Sequence, residues 1–477
     1  MPAPEFRVVA IELYERPVAL RVPFRFGATT VTHAPQAFVC AAIQLGDGRE
    51  ARGVAAELMI PKWFDKSAQK SNVDNIDDLR RSLSFAAAAY LTETRALDAF
   101  GHFAAHYGAL ITGGAAAGLN PLTSNYGPAL IDRALLDALC RALDVSFSAA
   151  IRINLPGINT SLTPDLAGFA VDRFVAGLTP QSTIAARHTV GMLDPIVAGD
   201  ATVRVGDGLP ETLEEVIAAY GNRYFKVKLG GDPHADVERL VRVAAVLDRL
   251  PDYAVTLDGN EQYADPSGIA ELWRRIEATP TLTRLFAQTL YLEQPLPRAI
   301  AFGSDVSDLA TTKPLLIDES DATLDAFPAA RATGYTGVSS KSCKGIYKSL
   351  LNAARCAHWN DDVVPGSFLS GEDLTMQAGI AVQQDLALAG LLGLRHVERN
   401  GHHYVNGFAG QSAGDAEQRA FLAAQPGLYA ESHGSVRLAI RDGLIDISSL
   451  EAPGFAAAAQ PDWTTLEPLG AAMADAT

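Results

Sequence analysis

Lysines and carboxylates stand at the ends of several short apolar runs in the second half of the chain. In "YFKVKLGG", Lys226 and Lys228 are two residues apart and therefore lie on one face of a strand. The following apolar runs end in three carboxylates and another lysine, in the order Asp258, Glu293, Asp318 and Lys341. A single charge at a strand end is usually solvated or paired with a neighbour, but an ordered series on successive strands indicates a shared site.

This series suits the removal of a proton next to a carboxylate. Three converging carboxylates repel one another unless a cation lies between them, and Mg²⁺ prefers such oxygen ligands. The ion stabilises the enolate that forms when a bound carboxylate loses its α-proton. A lysine becomes a base when nearby positive charge favours its neutral form, and Lys226 supplies that charge beside Lys228. We expect Lys341, from across the site, to serve the opposite face of the same carbon.

A regular alternation of strands and helices carries these residues. From about residue 183, β-prone runs such as "YAVTLDGN" alternate with helical runs such as "HADVERLVRVAAVLDRL". The last predicted cycle is the strand "DVVPGS" followed by the helix "DLTMQAGIAVQQDLALAG". About seven units in residues 183–404 favour a closed α/β barrel with its active site at the C-terminal strand ends. An open doubly wound sheet is the alternative, but no GxGxxG fingerprint follows the predicted strands.

The two ends of the chain predict a second, α+β domain. Residues 1–145 combine β-prone runs with helical runs such as "ALIDRALLDALCRAL", and "VPFRFGATTVTHAP" between the first two strands is predicted as a loop. Residues 146–182 have no sustained period and are predicted as a connection or insertion. Residues 405–477 contain a predicted helix, "DAEQRAFLAAQ", and a strand pair around "IRDGLIDI", and we expect them to fold back on the first domain.

The motifs, taken in order, resemble the enolase superfamily, specifically the muconate-lactonizing-enzyme-like branch of the mandelate racemase/muconate lactonizing enzyme family. The resemblance rests on KxK, DGN, EQP, DES and "SSKSCKG", and extends to "ALIDRALLDALCRAL" and "RDGLIDISSLEAPGF". It implies a modified (β/α)7β TIM-type barrel with an α+β capping domain formed from the N-terminal part and the C-terminal tail. It also implies a metal-dependent isomerase or lyase that acts on a small carboxylate by racemisation or epimerisation, cycloisomerisation or syn elimination.

The same resemblance implies a metal site. Mg²⁺, with Mn²⁺ as a substitute, would be held by the residues that match the family's ligands, Asp258, Glu293 and Asp318. The resemblance favours Asp318 rather than Glu319 as the third ligand, and Glu319 would then stand beside the ligands together with Asn260.

The resemblance assigns the proton transfers to two lysines. Lys228 and Lys341 match the opposed acid–base groups, and Lys226 matches the group that tunes its partner and touches the substrate. In the mandelate-racemase-like branch a catalytic histidine stands on the penultimate strand, but "VVPGSF" offers Gly366 at that place. The Lys/Lys arrangement is therefore preferred over an acid-sugar dehydratase on the same scaffold. A catalytically silent ligand-binding barrel is the second alternative.

Substrate specificity in this family comes largely from cap loops over the barrel mouth. The matching segments are residues 24–33 and 57–64. Arg25 and His33 are candidates for contacting an anionic or polar group at the far end of the substrate, and Trp63 is a candidate for the apolar wall of the pocket. A solvated loop charge and a cap-core role are the alternatives for these residues.

Near the last predicted strand, Glu372 is a candidate substrate contact, and Asp373 is predicted as the N-cap of "LTMQAG". The interval from Asp258 to Glu293 is long for the family and predicts an insertion within residues 275–290.

Composition and charge exclude several classes of protein and of binding partner. The formal charge of −16 argues against nucleic acid and anionic membrane surfaces, and 48% hydrophobic residues argue against wholesale disorder. Four cysteines without a CxxC pair and an N-terminus unlike a signal peptide predict a cytoplasmic protein. No run approaches a membrane span, and a homo-oligomer is expected by analogy with the family.

Overall fold

The computed structural model describes residues 3–27, 29–201, 203–360 and 366–470. The strands in chain order are β1 (Phe6–Phe26), β2 (Thr29–Leu45), β3 (Glu50–Leu58), β4 (Thr183–Val190), β5 (Tyr224–Lys228), β6 (Ala254–Asp258), β7 (Thr289–Glu293), β8 (Leu315–Ile317), β9 (Gly337–Ser340), β10 (Phe368–Gly371), β11 (His396–Arg399), β12 (Tyr429–Ser432), β13 (Ser435–Leu438), β14 (Leu444–Asp446) and β15 (Glu467–Pro468).

The helices are α1 (Asn72–Thr92), α2 (Ala99–Ala116), α3 (Pro121–Ser124), α4 (Tyr126–Ala142), α5 (Phe147–Arg152), α6 (Val171–Ala176), α7 (Leu213–Tyr220), α8 (Pro233–Leu247), α9 (Pro266–Glu277), α10 (Thr283–Ala287), α11 (Ser307–Thr312), α12 (Ala326–Ala332), α13 (Ile346–Trp359), α14 (Ile380–Leu391), α15 (Gly401–Tyr404) and α16 (Asp415–Ala424). None of the helices described here is long and apolar enough to cross a membrane.

Strands β4 to β11 form a closed parallel barrel. Each pairs with the next in sequence order, and β11 returns to β4, with His396 opposite Ala185 and Arg399 opposite His188. Local signals explain why helices separate these strands. Asp232 and Asp265 accept backbone N–H groups at the starts of α8 and α9, each followed by proline at the first helical position. The predicted α/β barrel is confirmed, and the open sheet is excluded by the closing pair.

The capping domain is built on an antiparallel sheet in the order β15-β1-β2-β3. The prediction of a loop over "VPFRFGATTVTHAP" was wrong, because β1 and β2 form one long hairpin that pairs as far as Phe26 and Thr29. Helix α4 packs against β3 and is buried at every position from Tyr126 to Cys140. A helix that is buried on all sides lies between two layers, and here the layers are the cap and the barrel.

The C-terminal tail crosses from the barrel to the cap. The predicted strand pair around "IRDGLIDI" was wrong, since only β14 is a strand there and it pairs antiparallel with β4 of the barrel. Further on, the Phe455 ring stacks on Phe147 with 3.8 Å between ring centroids, and β15 pairs with β1. The capping domain therefore draws on both ends of the chain, as predicted.

Four further segments are compared with their predictions. The strand "DVVPGS" falls largely on residues 361–365, which lie outside the described residues, and the seventh barrel strand is β10. The eighth barrel strand, β11, was not predicted. Residues 146–182 hold the short helices α5 and α6, and residues 275–290 hold the end of α9 and the extra helix α10.

Asp132 of α4 is a buried acid that accepts a hydrogen bond from the Tyr90 hydroxyl at 2.7 Å. Burial raises the pKa of Asp132 to about 8. Between the ordinary aspartate pKa of about 3.9 and pH 8, Asp132 is protonated in the folded chain and ionised in the unfolded chain. Its contribution therefore lowers the free energy of unfolding progressively as the pH rises through this window.

We predict that Asp132→Asn raises the melting temperature more at pH 8 than at pH 5, because asparagine keeps the shape without the ionisable group. Differential scanning calorimetry at the two pH values measures this. The surface control Asp144→Asn should shift the melting temperature equally at both, and an equal shift for Asp132→Asn would contradict the assignment.

Candidate active site

The C-terminal ends of the barrel strands bring the predicted charged residues together in the interior. All six are buried, and their side chains converge from β5 through the residue after β9, in the order Lys226, Lys228, Asp258, Glu293, Asp318 and Lys341. Parallel pairing sets this arrangement, because Lys228 stands opposite Asp258 in the β5–β6 ladder and Asp258 opposite Glu293 in the β6–β7 ladder.

The Lys226 ammonium lies at the centre of four carboxylates. Its Nζ atom is 2.9 Å from Asp258, 2.7 Å from Glu293, 2.7 Å from Glu372 and 3.0 Å from Glu398. Burial opposes the charge of Lys226, but the four carboxylates outweigh it and raise the pKa of this lysine well above its ordinary value. Lys226 is therefore a permanent cation in this arrangement.

The other two lysines hold carboxylates on opposite sides of the barrel. Lys228 on β5 is 2.6 Å from Asp258, and Lys341, which follows β9, is 2.6 Å from Asp318. Three strands lie between β5 and β9 in each direction around the closed barrel, so the two ammonium groups approach from opposite walls. Both line a single cavity at the mouth of the barrel.

The three predicted metal ligands differ in their electrostatic surroundings. Burial raises the pKa of Glu293 well above its ordinary value, and the charges of Asp258 and Glu372 add to that effect. For Asp318, burial acts in the same direction, but Lys341 and Lys344 outweigh it and lower the pKa of the carboxyl well below its usual range. Glu293 is thus the carboxylate whose negative charge is least compensated.

Asn260 and Glu319 stand beside these carboxylates. The Asn260 backbone N–H donates to Asp258 at 2.8 Å, and its side-chain amide donates to Glu319 at 3.2 Å. Asn260 has φ of 41°, a left-handed conformation that asparagine tolerates better than most residues. The turn after β6 therefore connects the loops that carry Asp258 and Asp318.

Aromatic residues of the cap cover the cavity. Phe24 and Phe26 of β1 and Trp63 after β3 line it from the cap side, and the Lys341 Nζ atom lies 4.2 Å from the Trp63 ring centroid. Arg25, between the two phenylalanines, belongs to the other face of β1 and is not among the lining residues. His33 is exposed on β2 and contacts Thr32. The cap therefore meets the cavity with aromatic rings rather than with these two predicted polar groups.

The region after β10 differs from its prediction. Glu372 lies inside the barrel, where Arg187, Tyr291 and Lys226 contact it, and it does not line the cavity. Asp373 is not a helix N-cap, because α14 begins at Ile380 and the residues between are not helical.

Asp373 instead accepts hydrogen bonds from the backbone N–H groups of Leu374, Met376 and Asn400.

Gly366 precedes β10, so it stands at the opposite end of the strand from the mouth. The residues at the mouth are Gly371 and Glu372, neither of which is a histidine.

Glu398 is the participant that sequence reasoning missed. It accepts a hydrogen bond from Thr189 of β4 at 2.6 Å, contacts Lys226, and lines the cavity. The available signal was the short run "RHVERN" after the turn at Gly393. Its charged residues are typical of an exposed loop, although the structure has the buried strand β11 there.

Comparisons with known proteins agree with this architecture. The family model MR_MLE_C, described as enolase C-terminal domain-like, matches residues 208–456, more than half of the chain. No curated protein sequence is significantly similar to the chain.

Solved structures of low sequence identity share the fold. A muconate lactonizing enzyme from Mucobacterium smegmatis, complexed with muconolactone, is 19% identical, with a TM-score of 0.60 over 96% of this chain and 98% of its own. A dipeptide epimerase from Methylococcus capsulatus, complexed with Mg and the dipeptide L-Arg-D-Lys, is 18% identical, with a TM-score of 0.56 over 92% and 99%. An enolase from Bradyrhizobium, complexed with magnesium and mandelic acid, is 16% identical, with a TM-score of 0.59 over 97% and 98%.

The barrel, its cap and the family match lead to one assignment. The chain belongs to the enolase superfamily, in the mandelate racemase/muconate lactonizing enzyme family whose C-terminal domain the match covers.

Proposed function

We propose that the protein abstracts the proton α to the carboxylate of a small substrate in a Mg²⁺-dependent reaction, with Lys228 and Lys341 as the opposed acid–base groups. The observation that carries this proposal is that both lysines line one cavity from opposite walls, with carboxylates between them. Racemisation or epimerisation would use the two lysines in turn. Cycloisomerisation or syn elimination would use one as the base and the other as a fixed positive charge.

The donor set fits a hard divalent cation. Asp258, Glu293 and Asp318 offer oxygen atoms only, and Glu293 is a buried carboxylate whose charge its neighbours leave poorly compensated. As they stand, no three acidic, histidine or cysteine side chains in the described part of the chain are grouped to hold a metal. The ammonium groups of Lys226, Lys228 and Lys341 pair with these carboxylates instead. Binding of Mg²⁺ would therefore require these ion pairs to break. When bound, Mg²⁺ would supply positive charge that stabilises the carboxylate oxygens as the α-proton leaves.

The chain's own residues then have distinct tasks. Lys226 stays protonated and holds Glu372 and Glu398 in place. Lys228 and Lys341, released from their carboxylates, accept or donate a proton at Nζ on either face of the α-carbon. The aromatic cap wall excludes water from the cavity, which strengthens each electrostatic interaction inside it.

This proposal is preferred over the two alternatives. An acid-sugar dehydratase of the histidine-using type needs an imidazole at the end of the seventh barrel strand, where the chain has Gly371 and Glu372. A silent binding barrel does not require lysines on opposite walls of its cavity, where the burial of Lys228 and Lys341 costs desolvation free energy.

We predict that Lys228→Ala and Lys341→Ala each slow α-proton exchange by about 100-fold or more, the usual contribution of a positioned acid or base. The assay incubates the Mg²⁺-loaded protein in D₂O with N-acylamino acids, dipeptides, aryl-substituted acids and sugar acids, and follows exchange by NMR. Lys313→Ala is the matched control, because Lys313 packs against Phe286 outside the barrel mouth. Exchange that survives in both active-site variants would sink the two-lysine proposal.

We also predict that saturating Mg²⁺ raises the melting temperature of the wild type by roughly 3 °C and that EDTA reverses the shift, because a ligand that binds only the folded state stabilises it. Glu293→Gln should lose this response. Glu372→Gln removes a carboxylate from the same cluster but not from the proposed ligands, so it should keep the response. The reverse pattern in these two variants would refute the ligand assignment.

A further inference from the structure

Between β3 and α1, residues 59–70 (the cap segment) run over the barrel mouth and carry Trp63. One lysine of this segment reaches the barrel. The Lys66 Nζ atom is 2.7 Å from Glu261 and 3.0 Å from Glu319, and it donates to the Asn260 carbonyl at 2.8 Å. All three partners belong to the loops that follow β6 and β8.

A second cation from the barrel side completes the connection. Arg298 lies 2.9 Å from Glu261 and donates to the backbone carbonyls of Trp63 at 2.9 Å and Phe64 at 2.8 Å. Glu261 is thus shared by Lys66 from the cap and Arg298 from the barrel. Arg298 therefore holds the backbone of Trp63 and Phe64 in place relative to the barrel.

These contacts connect Trp63 to the candidate ligands. Glu319 is the neighbour of Asp318, and Asn260 follows Asp258 by two residues. The ring of Trp63 lies on the ammonium of Lys341, which itself pairs with Asp318. The cap segment therefore contacts both the ligand loops and one of the two cavity lysines.

We propose that Lys66 is a positioning residue that fastens the cap segment to the barrel and so keeps Trp63 over Lys341. The functional meaning of this position rests on the proposed role of Lys341 as an acid–base group, whereas the contact itself does not. The Glu319 side chain is fully buried, and without Lys66 its remaining hydrogen-bond donor in the described part of the chain is the Asn260 amide. A buried carboxylate without its cation is costly, so we expect the cap segment to lift and admit water when Lys66 loses its charge.

Acrylamide quenching of Trp63 tests the proposal without substrate or metal. The emission of Trp63 is obtained as the difference between each protein and the same protein carrying Trp63→Phe, since the chain has 4 tryptophans. Lys66→Met should raise the quenching constant of Trp63 by about threefold, in line with the loss of a partly buried ion pair. Lys66→Arg should restore the wild-type constant, because it returns the charge.

Lys70→Met is the matched control. Lys70 lies on the same segment and pairs with Asp65 at 2.8 Å and Asp78 at 2.7 Å, both within the cap, so its loss removes ion pairs without releasing the barrel. Lys66→Gln provides a second neutral variant if Lys66→Met does not fold. Equal quenching in Lys66→Met and Lys70→Met, or a failure of Lys66→Arg to rescue, would overturn the proposal.

A kinetic readout separates this inference from the proposed function. Where a substrate shows α-proton exchange, Lys66→Met should raise KM more than it lowers kcat. A quenching change without any detectable exchange in the wild type would support the fastening role of Lys66 while counting against the proposed chemistry.

Discussion

A single buried ammonium holds the barrel mouth together. Lys226 contacts Asp258, Glu293, Glu372 and Glu398, which belong to or directly follow four other strands of the barrel. In the interior, each of these carboxylates would be costly without a cation, so the contacts stabilise both the charges and the closure of the barrel. Any divalent cation that binds here has to compete with Lys226 for Asp258 and Glu293.

The cap depends on a second buried charge cluster next to the first. Glu57 of β3 pairs with Arg133 of α4 at 3.2 Å and accepts a hydrogen bond from Ser342, the neighbour of Lys341. Burial raises the pKa of Glu57 to about 7, although Arg133 opposes this. Cap strand, buried helix and barrel loop therefore meet at one carboxylate, which links the fold of the capping domain to the wall that carries Lys341.

Much of the barrel was predictable because its strands are short apolar runs that end in charge, and its helices begin with capping residues such as Asp232 and Asp265. The residues that converge at the mouth follow directly from parallel pairing, which places every C-terminal strand end at one rim. The grouping of Lys226 with Asp258 and Glu293 needed no more than that rule.

The eighth barrel strand and the long cap hairpin were not predictable, because both depend on contacts between residues that are distant in sequence. β11 carries Glu398 and Arg399, charges that suggest a surface loop until Lys226 and Asp385 are known to bind them. The hairpin of β1 and β2 contains Pro, Gly and Thr residues typical of loops, and only cross-strand pairing keeps it extended to its tip. With that strand continuous, Phe24 faces the cavity and Arg25 does not, a distinction that a predicted loop cannot make.

The most direct test is anomalous diffraction from crystals soaked in Mn²⁺, because Mn²⁺ gives a strong anomalous signal and Mg²⁺ does not. The account predicts one anomalous peak at the barrel mouth, held by Asp258, Glu293 and Asp318, with Lys226 displaced from Asp258 and Glu293. No peak at the mouth, or a peak held by Glu372 and Glu398 instead, would contradict it.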